Sequence, residues 1–323
     1  MVFLVTGAGG FIGFHLSKTL LARGETVIGI DNLNDYYSPI LKQARCDQLK
    51  QFKNFTFYHA DITDVSAMEH IVQRHSDIQI IFNLAAQAGV RYSLENPYSY
   101  IQTNVMGQVA ILEMARQLPN LQRIFYASSS SVYGLNKKLP FSEADRVDRP
   151  SSVYAASKQS AELLSFTYHH LYGLKQTGLR FFTVYGPWGR PDMAYYLFAK
   201  AIIEDKPITL YTGQNLSRDF TYIDDVIDAL LSLLECSHLE DYGIFNIGNS
   251  RQEKVEHLVA CLEENIGKKA IINYITRPET DIEATLSDIS AIYNVTGWSP
   301  RTKLSDGVWL FTNWLKLCNG FFC

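Results

Sequence analysis

Tyr154 and Lys158 are the residues whose types and spacing point most directly to chemistry. Side chains four residues apart lie on one face of a helix. An ammonium group beside a phenol lowers the pKa of the phenol from its ordinary value of about 10, so the phenolate can remove a proton near neutral pH. A run of serines, Ser128 to Ser131, precedes the pair and can share the hydrogen bond to a reacting alcohol. The pattern therefore predicts proton transfer at an alcohol.

The Tyr-x-x-x-Lys spacing occurs three times in the chain, so the spacing alone is a weak signal. Tyr133 and Lys137 lie in a predicted loop, and no serine cluster precedes Tyr196 and Lys200. Only Tyr154 both follows the serines and opens a predicted helix. The alternative for Tyr154 is an aromatic side chain that packs on an amphipathic helix, and the serine cluster favours the catalytic interpretation.

The N-terminal stretch predicts the fold that must position this pair. An apolar run at 2–5 reads as a buried strand, and Gly7, Gly10 and Gly13 follow it at the spacing G-x-x-G-x-x-G. Apolar residues then recur at helical spacing, a second strand is predicted at 26–30, and Asp31 closes it. Strand, glycine turn, helix, strand and acid are the parts of a dinucleotide-binding βαβ unit.

Each glycine has a predicted task in that unit. Gly7 allows the tight turn, Gly10 lets the backbone approach a pyrophosphate, and Gly13 lets the helix pack against the strand. Asp31 is placed to accept hydrogen bonds from a ribose diol and to repel a 2′-phosphate, and residues 32–35 contain no Arg or Lys. This predicts NAD rather than NADP. The alternative is a glycine turn that binds nothing.

Composition narrows the partners and the compartment. The net charge is 29 minus 33, or −4, which gives no basic excess for nucleic acid or an anionic membrane. The five cysteines form no C-x-x-C pair, which indicates reduced thiols rather than disulfides or a zinc site. No metal ligand set is predicted. Because a strand is predicted from residue 2 and no apolar run is long enough for a bilayer, we expect a cytoplasmic protein without a signal peptide or membrane span.

Strands and helices alternate through the first half of the chain. Further strands are predicted at 55–58, 78–84, 123–127 and 177–182, and helices at 65–75, 97–118 and 154–172. This alternation predicts an α/β fold with a doubly wound parallel Rossmann sheet.

After residue 182 glycines and prolines cluster, the alternation is lost, and a helix at 224–234 and a strand at 245–248 are predicted to return to the main sheet. We therefore expect an NAD-binding Rossmann domain of 1–182 plus about 220–250. A smaller α/β substrate-binding lobe of about 183–219 plus 251–323 would lie over the strand ends, where ligands of such sheets bind.

The whole chain resembles the extended short-chain dehydrogenase/reductase family, especially its nucleotide-sugar epimerases. The glycine spacing, Asn104, the Ser-Tyr-Lys set and the string at 218–222 carry this resemblance. The longer strings at 31–37, 91–97 and 180–193 are similar to those of UDP-glucuronate 4-epimerases.

The resemblance implies a role for each matching residue. The implied catalytic set is Ser129, Tyr154 and Lys158. The implied NAD contacts are Gly7, Gly10, Phe11, Ile12, Gly13, Asp31, Asn32, Asn34, Asp61, Ile62, Leu84, Ala85, Ala86, Asn104, Tyr154, Lys158 and Phe181. The implied UDP-sugar contacts are Arg91, Ser129, Ser130, Ser131, Tyr154, Thr183, Arg190, Tyr211, Arg218 and Arg277. Among them, the resemblance implies that Arg190 pairs with a sugar carboxylate, that Arg218 and Arg277 bind the diphosphate, and that Tyr211 lies near uracil. It also implies that Thr285 limits the size of the sugar. The chain departs from the family at Trp188, which is often polar in relatives, and at 277–281, where relatives carry Pro-Gly-Asp.

The serines also separate related reactions. Ser130 and Ser131 stand where 4,6-dehydratases of the family carry an Asp and a Glu, and UDP-glucuronate decarboxylases usually keep a Glu at the position of Ser131. The implied activity is therefore NAD-dependent epimerisation at C4 of UDP-glucuronate, through a 4-keto sugar. The alternatives are a 4-epimerase of neutral UDP-sugars, a UDP-glucuronate decarboxylase, and an NAD-binding sensor or scaffold without activity.

Partners beyond the UDP-sugar are expected to be limited to a second copy of the chain. Family relatives pair through a four-helix bundle built from the helices that correspond to about 97–118 and 151–172. Those segments carry apolar residues on more than one face here, including Val153, Leu163, Leu164 and Leu171. The resemblance thus implies a homodimer.

Overall fold

A computed structural model describes residues 1–212, 216–276 and 282–318. Its strands are β1 (Val2–Thr6), β2 (Thr26–Asp31), β3 (Phe55–His59), β4 (Ile80–Asn83), β5 (Arg123–Ser129), β6 (Gln176–Phe181), β7 (Thr183–Tyr185), β8 (Pro207–Thr212), β9 (Ser217–Arg218), β10 (Phe220–Tyr222), β11 (Tyr242–Ile247), β12 (Glu253–Lys254) and β13 (Ile271–Thr276). Its helices are α1 (Phe11–Ala22), α2 (Pro39–Leu49), α3 (Val65–Arg74), α4 (Tyr92–Glu95), α5 (Pro97–Tyr100), α6 (Gly107–Ala115), α7 (Val153–Tyr172), α8 (Ala194–Ile203), α9 (Ile223–Glu235), α10 (Val255–Ile266), α11 (Ser290–Thr296) and α12 (Leu304–Leu317), with a π-helical segment at Ile101–Met106 and a 3-10 turn at Ser130–Tyr133.

Within the described residues, seven strands form one parallel sheet in the order β11-β6-β5-β4-β1-β2-β3. The chain runs outward from β1 in one direction and from β4 in the other, which creates a crevice at the carboxyl ends of these two strands. The buried apolar runs of β1 and β4 explain their central positions. The predicted doubly wound parallel sheet is confirmed, and the strand predicted at 245–248 joins it as β11.

Two predictions about helices need correction. The single helix predicted over 97–118 is divided into α5, the π-helical segment and α6, and it ends at Ala115. Helix α2 was not predicted at all, although Pro39 at its first position is a helix-start signal. Both differences affect the site, because the π-helical segment carries Asn104 and α2 carries Lys42 and Arg45.

Among the described residues, three pairs of short strands lie outside the main sheet. β8 pairs with β13 and β9 pairs with β12, and each of these pairs joins the two segments that were assigned to the smaller lobe. β7 pairs with β10, which crosses the predicted boundary near residue 220. The division into two domains stays a prediction. No helix among the described residues is long and apolar enough to cross a membrane.

Candidate active site

A cavity of about 1060 Å³ opens at the carboxyl ends of the central strands. It brings together nearly every residue that was predicted for the site. The lining includes Gly7, Gly10, Phe11, Ile12, Gly13, Asp31, Asn32, Asn34, Asp61, Ile62, Leu84, Ala85, Ala86, Arg91, Ser129, Ser130, Ser131, Tyr154, Lys158, Phe181, Thr183, Arg190, Tyr211, Arg218 and Thr285. Arg277 lies outside the described residues.

The glycine-rich loop forms one end of the cavity. Gly7 has a φ of +69°, a conformation that favours glycine. A Cβ on Gly13 would lie 2.1 Å from the carbonyl oxygen of Gly7, so a larger residue there would push α1 away from the loop. The N–H of Gly10 donates to Gly7 at 2.9 Å and closes the turn. The loop therefore delivers the start of α1 to the cavity, where backbone N–H groups and the helix dipole favour an anion.

Asp31 lines the cavity and also fixes the loop. Its Oδ2 accepts the N–H of Gly9 at 2.9 Å, and its Oδ1 accepts the N–H of Leu33 at 2.8 Å. Burial raises the pKa of Asp31, while these hydrogen bonds and the charge of Lys42 oppose that shift. The carboxylate thus has a structural task that the sequence did not reveal, and its contact with a ribose stays a prediction.

Lys42 is a cavity residue that sequence reasoning missed. Its Nζ donates to the carbonyl oxygen of Asn34 at 2.7 Å and to the Asn34 Oδ1 at 2.6 Å. Residues 32–35 do lack a cation, but α2 supplies one beside Asp31. Burial lowers the pKa of Lys42 to about 8. The predicted preference for NAD over NADP therefore depends on Asp31 alone and not on an absence of positive charge.

Tyr154, Ser129 and Lys158 all line the cavity, where β5 ends and α7 begins. Ser152 caps α7 by accepting the N–H of Ala155 at 3.1 Å, which sets the first turn that carries Tyr154. The Oγ of Ser129 accepts the N–H of Ser131 at 3.2 Å.

The direction of the Tyr154 pKa shift differs from the sequence prediction. Burial raises the pKa of the Tyr154 phenol, and hydrogen bonding to Ser129 and the charge of Arg190 oppose that rise. Lys158 instead donates to the carbonyl oxygen of Ala127 at 2.9 Å, and burial lowers its own pKa to about 8. The predicted lowering of the Tyr154 pKa by Lys158 is therefore not what the structure shows.

A buried polar network connects the elements that carry Ser129, Tyr154 and Lys158. Glu162, two turns of α7 beyond Tyr154, accepts Nε and Nη2 of Arg180 at 2.9 and 2.8 Å, and it also accepts the Ser128 hydroxyl. Arg180 Nη1 continues to the hydroxyl of Tyr133 at 3.1 Å. The network ties β5, β6 and α7 together directly behind the serine cluster.

Asn104 does not line the cavity. Its Oδ1 accepts the N–H of Gln87 at 2.8 Å, and its Nδ2 donates to the Gln87 carbonyl and to the Ser157 hydroxyl, each at 2.9 Å. The side chain thus joins the π-helical segment to α7 and to the segment after β4. Its predicted direct contact with NAD stays untested, and its position behind the wall is that of a residue that orients Gln87.

Arg190 lines the cavity from the segment between β7 and α8. Its Nε and Nη2 donate to the two carboxylate oxygens of Asp192 at 3.1 and 2.5 Å, and the two side chains are 22% and 26% exposed. The preceding residues are held by Arg45, whose Nη2 donates to the carbonyls of Trp188 and Gly189 at 2.6 and 3.0 Å. The partner Asp192 was not predicted.

The far end of the cavity is lined by the residues predicted for the nucleotide. The guanidinium of Arg91 lies over the ring of Tyr211, 5.3 Å from its centre. Nη1 of Arg218 donates to the carbonyls of Ser217 and Glu283 at 2.9 and 3.0 Å. The Thr285 hydroxyl accepts the N–H of Asp219 at 3.1 Å. This end therefore offers two guanidinium groups and an aromatic ring.

A family model described as GDP-mannose 4,6 dehydratase matches residues 4–310. The chain belongs to this GDP-mannose 4,6 dehydratase family. UDP-glucuronate 4-epimerase 1 of Arabidopsis thaliana is 45% identical over 333 residues, which cover 98% of the chain and 77% of that protein.

Two solved structures of nucleotide-sugar epimerases share the fold over the whole chain. UDP-glucuronic acid 4-epimerase from Bacillus cereus, in complex with UDP-glucuronic acid and NAD, is 35% identical with a TM-score of 0.91, covering 98% of this chain and 99% of that one. UDP-glucose 4-epimerase from Thermotoga maritima, with UDP-glucose, is 28% identical with a TM-score of 0.89, covering 99% and 100%. The predicted resemblance to nucleotide-sugar epimerases is confirmed.

Proposed function

We propose that this member of the GDP-mannose 4,6 dehydratase family is an NAD-dependent UDP-glucuronate 4-epimerase, an isomerase that forms UDP-galacturonate. One observation carries the proposal: Arg190 and the serines at 130 and 131 line the same cavity as Tyr154, and the charge of Arg190 acts on the Tyr154 phenol. A cation and hydroxyl donors beside a proton-transfer residue suit a sugar that carries a carboxylate next to the reacting carbon. The relatives named above support this assignment.

The residues present fit NAD. The cradle at Gly7 and Gly13 has no room for a Cβ, the start of α1 faces the cavity, and Asp31 lies at the end of β2. Gly7, Gly10 and Gly13 would hold the pyrophosphate, and Asp31 the adenosine ribose. When bound, NAD supplies reversible acceptance of the hydride from C4 of the sugar. The B. cereus relative was solved with NAD.

The chain's own groups would move the proton and hold the sugar. Tyr154, hydrogen-bonded to Ser129, would take the proton of the 4-hydroxyl and later return it to the opposite face of the 4-keto sugar. Lys158 would place positive charge at the end of β5. Arg91 and Arg218 would contact the UDP-sugar, with Arg218 at the diphosphate, and Tyr211 would contact uracil, so that the keto sugar stays tethered while it turns over.

The carboxylate of the sugar would be held by Ser130, Ser131, Thr183 and Arg190. A 4-keto uronate is a β-keto acid, which loses CO2 when its carboxylate swings out of the carbonyl plane. Hydrogen bonds to the carboxylate would restrain that swing. The serines also lack the acidic groups of the dehydratases after which the family is named, so elimination of water is disfavoured.

A proton NMR time course of UDP-glucuronate with purified protein and no added NAD tests the function. We expect the signals of UDP-galacturonate, which would establish the reaction and the resident cofactor. Signals of a UDP-pentose would instead make the protein a decarboxylase. Arg190→Ala should lose turnover of UDP-glucuronate far more than that of UDP-glucose, or release UDP-pentose, and wild-type behaviour of this variant would remove Arg190 from the site.

A 4-epimerase of neutral UDP-sugars is the second candidate. The ion pair between Arg190 and Asp192 favours it, because the pair neutralises the charge that a uronate would need. The T. maritima relative with UDP-glucose points the same way. The same NMR assay with UDP-glucose and UDP-N-acetylglucosamine separates the candidates, because each substrate gives its own product signals.

The proposal extends to a homodimer in the cytoplasm. Leu163, Phe166 and Leu171 of α7 are 63%, 53% and 60% exposed, and Met106 of the π-helical segment is 52% exposed. Leu164 instead packs partly buried against the core. We expect Leu163→Glu to convert a dimer to a monomer in analytical ultracentrifugation, and an unchanged sedimentation coefficient would exclude the four-helix bundle.

A further inference from the structure

Asp192 occupies one edge of the Arg190 guanidinium inside the cavity. The carboxylate accepts Nε at 3.1 Å and Nη2 at 2.5 Å, the parallel two-point geometry that fixes the guanidinium plane. No described residue accepts a hydrogen bond from Nη1. The pair therefore selects which edge of Arg190 remains for a substrate.

Asp192 is itself held by a residue from a distant part of the chain. The hydroxyl of Tyr36 donates to Oδ2 of Asp192 at 3.1 Å. Tyr36 packs directly on backbone at Gly89, where a Cβ would lie 2.2 Å from the tyrosine oxygen, and its ring lies 5.1 Å from that of Tyr92. Tyr36 thus ties the ion pair to the segment that follows β2, so the position of the pair does not depend on the loop of Arg190 and Asp192 alone.

The Arg190–Asp192 pair also determines how much positive charge a sugar carboxylate meets in the cavity. Arg190 and Asp192 together carry no net charge, so a sugar carboxylate would meet hydrogen-bond donors rather than a full cation. A guanidinium released from Asp192 would carry its whole charge and sample more rotamers, because its planar fork would lose the partner that orients it.

We propose that Asp192 is a positioning residue that determines specificity: it presents Nη1 of Arg190 to the sugar carboxylate and limits the charge that the sugar meets. This inference rests on the proposed function, because it concerns a uronate. It assigns to Asp192 the suppression of a side reaction of the 4-keto sugar. In that reaction the C5–C6 bond breaks, its electron pair forms an enolate with the C4 carbonyl, CO2 leaves, and C5 takes up a proton. Return to C4 of the hydride removed in the first step, which bound NAD would supply, would then give the UDP-pentose.

Asp192→Ala and Asp192→Asn test the inference in the enzyme as purified. Proton NMR of UDP-glucuronate turnover gives the ratio of UDP-pentose to UDP-galacturonate, and calorimetry gives the affinity for UDP-glucose. We expect Asp192→Ala to raise the pentose ratio by about tenfold or more, equivalent to a change of about 1.4 kcal/mol between the two barriers. Asp192→Asn keeps an acceptor for Nε and should raise the ratio less, and Tyr36→Phe should shift it in the same direction.

The control is Asp241→Ala, which removes a surface aspartate that is paired with Lys175 outside the cavity. It should leave the product ratio unchanged. An unchanged ratio in Asp192→Ala overturns the inference. Tighter binding of UDP-glucuronate without pentose also overturns it, because Asp192 would then only compete with the substrate. Equal losses of UDP-glucuronate turnover and UDP-glucose affinity overturn it as well, since they indicate a general structural role.

A wild-type protein that does not convert UDP-glucuronate refutes the proposed function and, with it, this inference. A wild-type protein that forms UDP-galacturonate, together with a variant that forms it in the wild-type product ratio, refutes only the role of Asp192.

Discussion

The carboxylate of Glu162 accepts two hydrogen bonds from the guanidinium of Arg180, 2.9 Å from Nε and 2.8 Å from Nη2, in a pair that is almost entirely buried. The same carboxylate accepts the hydroxyl of Ser128, and its charge raises the pKa of Lys158 against the effect of burial. One buried acid therefore supports both the end of β5 and the lysine of the proposed catalytic set.

Glu162→Gln should destabilise the protein by about 3–5 kcal/mol, because it leaves the Arg180 charge buried without a counter-ion. It should also lower the pKa of Lys158 further. Urea unfolding measures the first effect. The control is Glu235→Gln, whose ion pair with Arg23 is exposed and should contribute little. Similar losses of unfolding free energy in the two variants would show that the buried ion pair contributes no more to stability than the exposed one.

Lys158→Met should change the pH dependence of stability. The pKa of Lys158 falls from 10.5 to about 8 in the folded protein, so the unfolded chain binds more protons between these values. The penalty for burying the charge is complete below pH 8 and is relieved as the pH rises to 10.5. The stability of the variant relative to wild type should therefore fall by about 3 kcal/mol across this window.

The lost hydrogen bond to Ala127 shifts that comparison by an amount that does not depend on pH. Urea unfolding at several pH values measures the slope. Lys200→Met is the control, because Lys200 is a partly exposed lysine of α8 outside the cavity. A difference between Lys158→Met and wild type that stays constant from pH 7 to 10 would contradict the prediction.

Gly13→Ala should abolish retention of NAD. The new Cβ would lie 2.1 Å from the carbonyl oxygen of Gly7, and backbone can yield only by moving α1 or the loop. The NAD content of the purified protein, measured after acid release, checks this. Gly243→Ala is matched, because its Cβ would make only ordinary contacts, 3.4 Å from Phe245. Equal NAD content in the two variants would show that the loop and α1 can accommodate the added methyl group without losing NAD.

Local patterns were enough to predict the Rossmann unit. The predicted strands at 55–58 and 177–182 differ from β3 and β6 by a single residue at one or both ends, and the predicted helix at 65–75 differs from α3 by one. Buried parallel strands are continuous apolar runs, and glycines mark their turns, so these signals lie within a few neighbouring residues. The end of α7 is also marked locally, because Gly173, which follows the last helical residue, adopts a left-handed conformation that favours glycine.

The parts of the site that the sequence did not reveal depend on contacts between distant segments. Tyr36 and Asp192 are 156 residues apart, and nothing local to either predicts that they meet at Arg190. The environment of Tyr154 was mispredicted for the same reason. The spacing to Lys158 is visible in the sequence, whereas the burial of Tyr154 and the approach of Arg190 are properties of the folded chain.

Arg45 connects the glycine-rich loop to the segment that precedes Arg190. Its side chain is fully buried, and Nη1 donates to the carbonyl of Gly9 and to the hydroxyl of Tyr37, each at 2.8 Å, while Nη2 holds the carbonyls of Trp188 and Gly189. One planar guanidinium thus clamps the glycine-rich loop to the segment that leads into Arg190. A lysine has a single ammonium group and cannot span these four acceptors.

Arg45→Lys should therefore weaken NAD retention and raise the KM for UDP-glucuronate together, each by about tenfold, a loss of about 1.4 kcal/mol. Binding of UDP alone should change little, because the nucleotide end of the cavity does not touch Arg45. NAD content, steady-state kinetics and calorimetry with UDP measure the three quantities. Arg23→Lys, at an exposed ion pair, is the control. A variant that keeps NAD but loses affinity for UDP-glucuronate would show that the two loops are held independently.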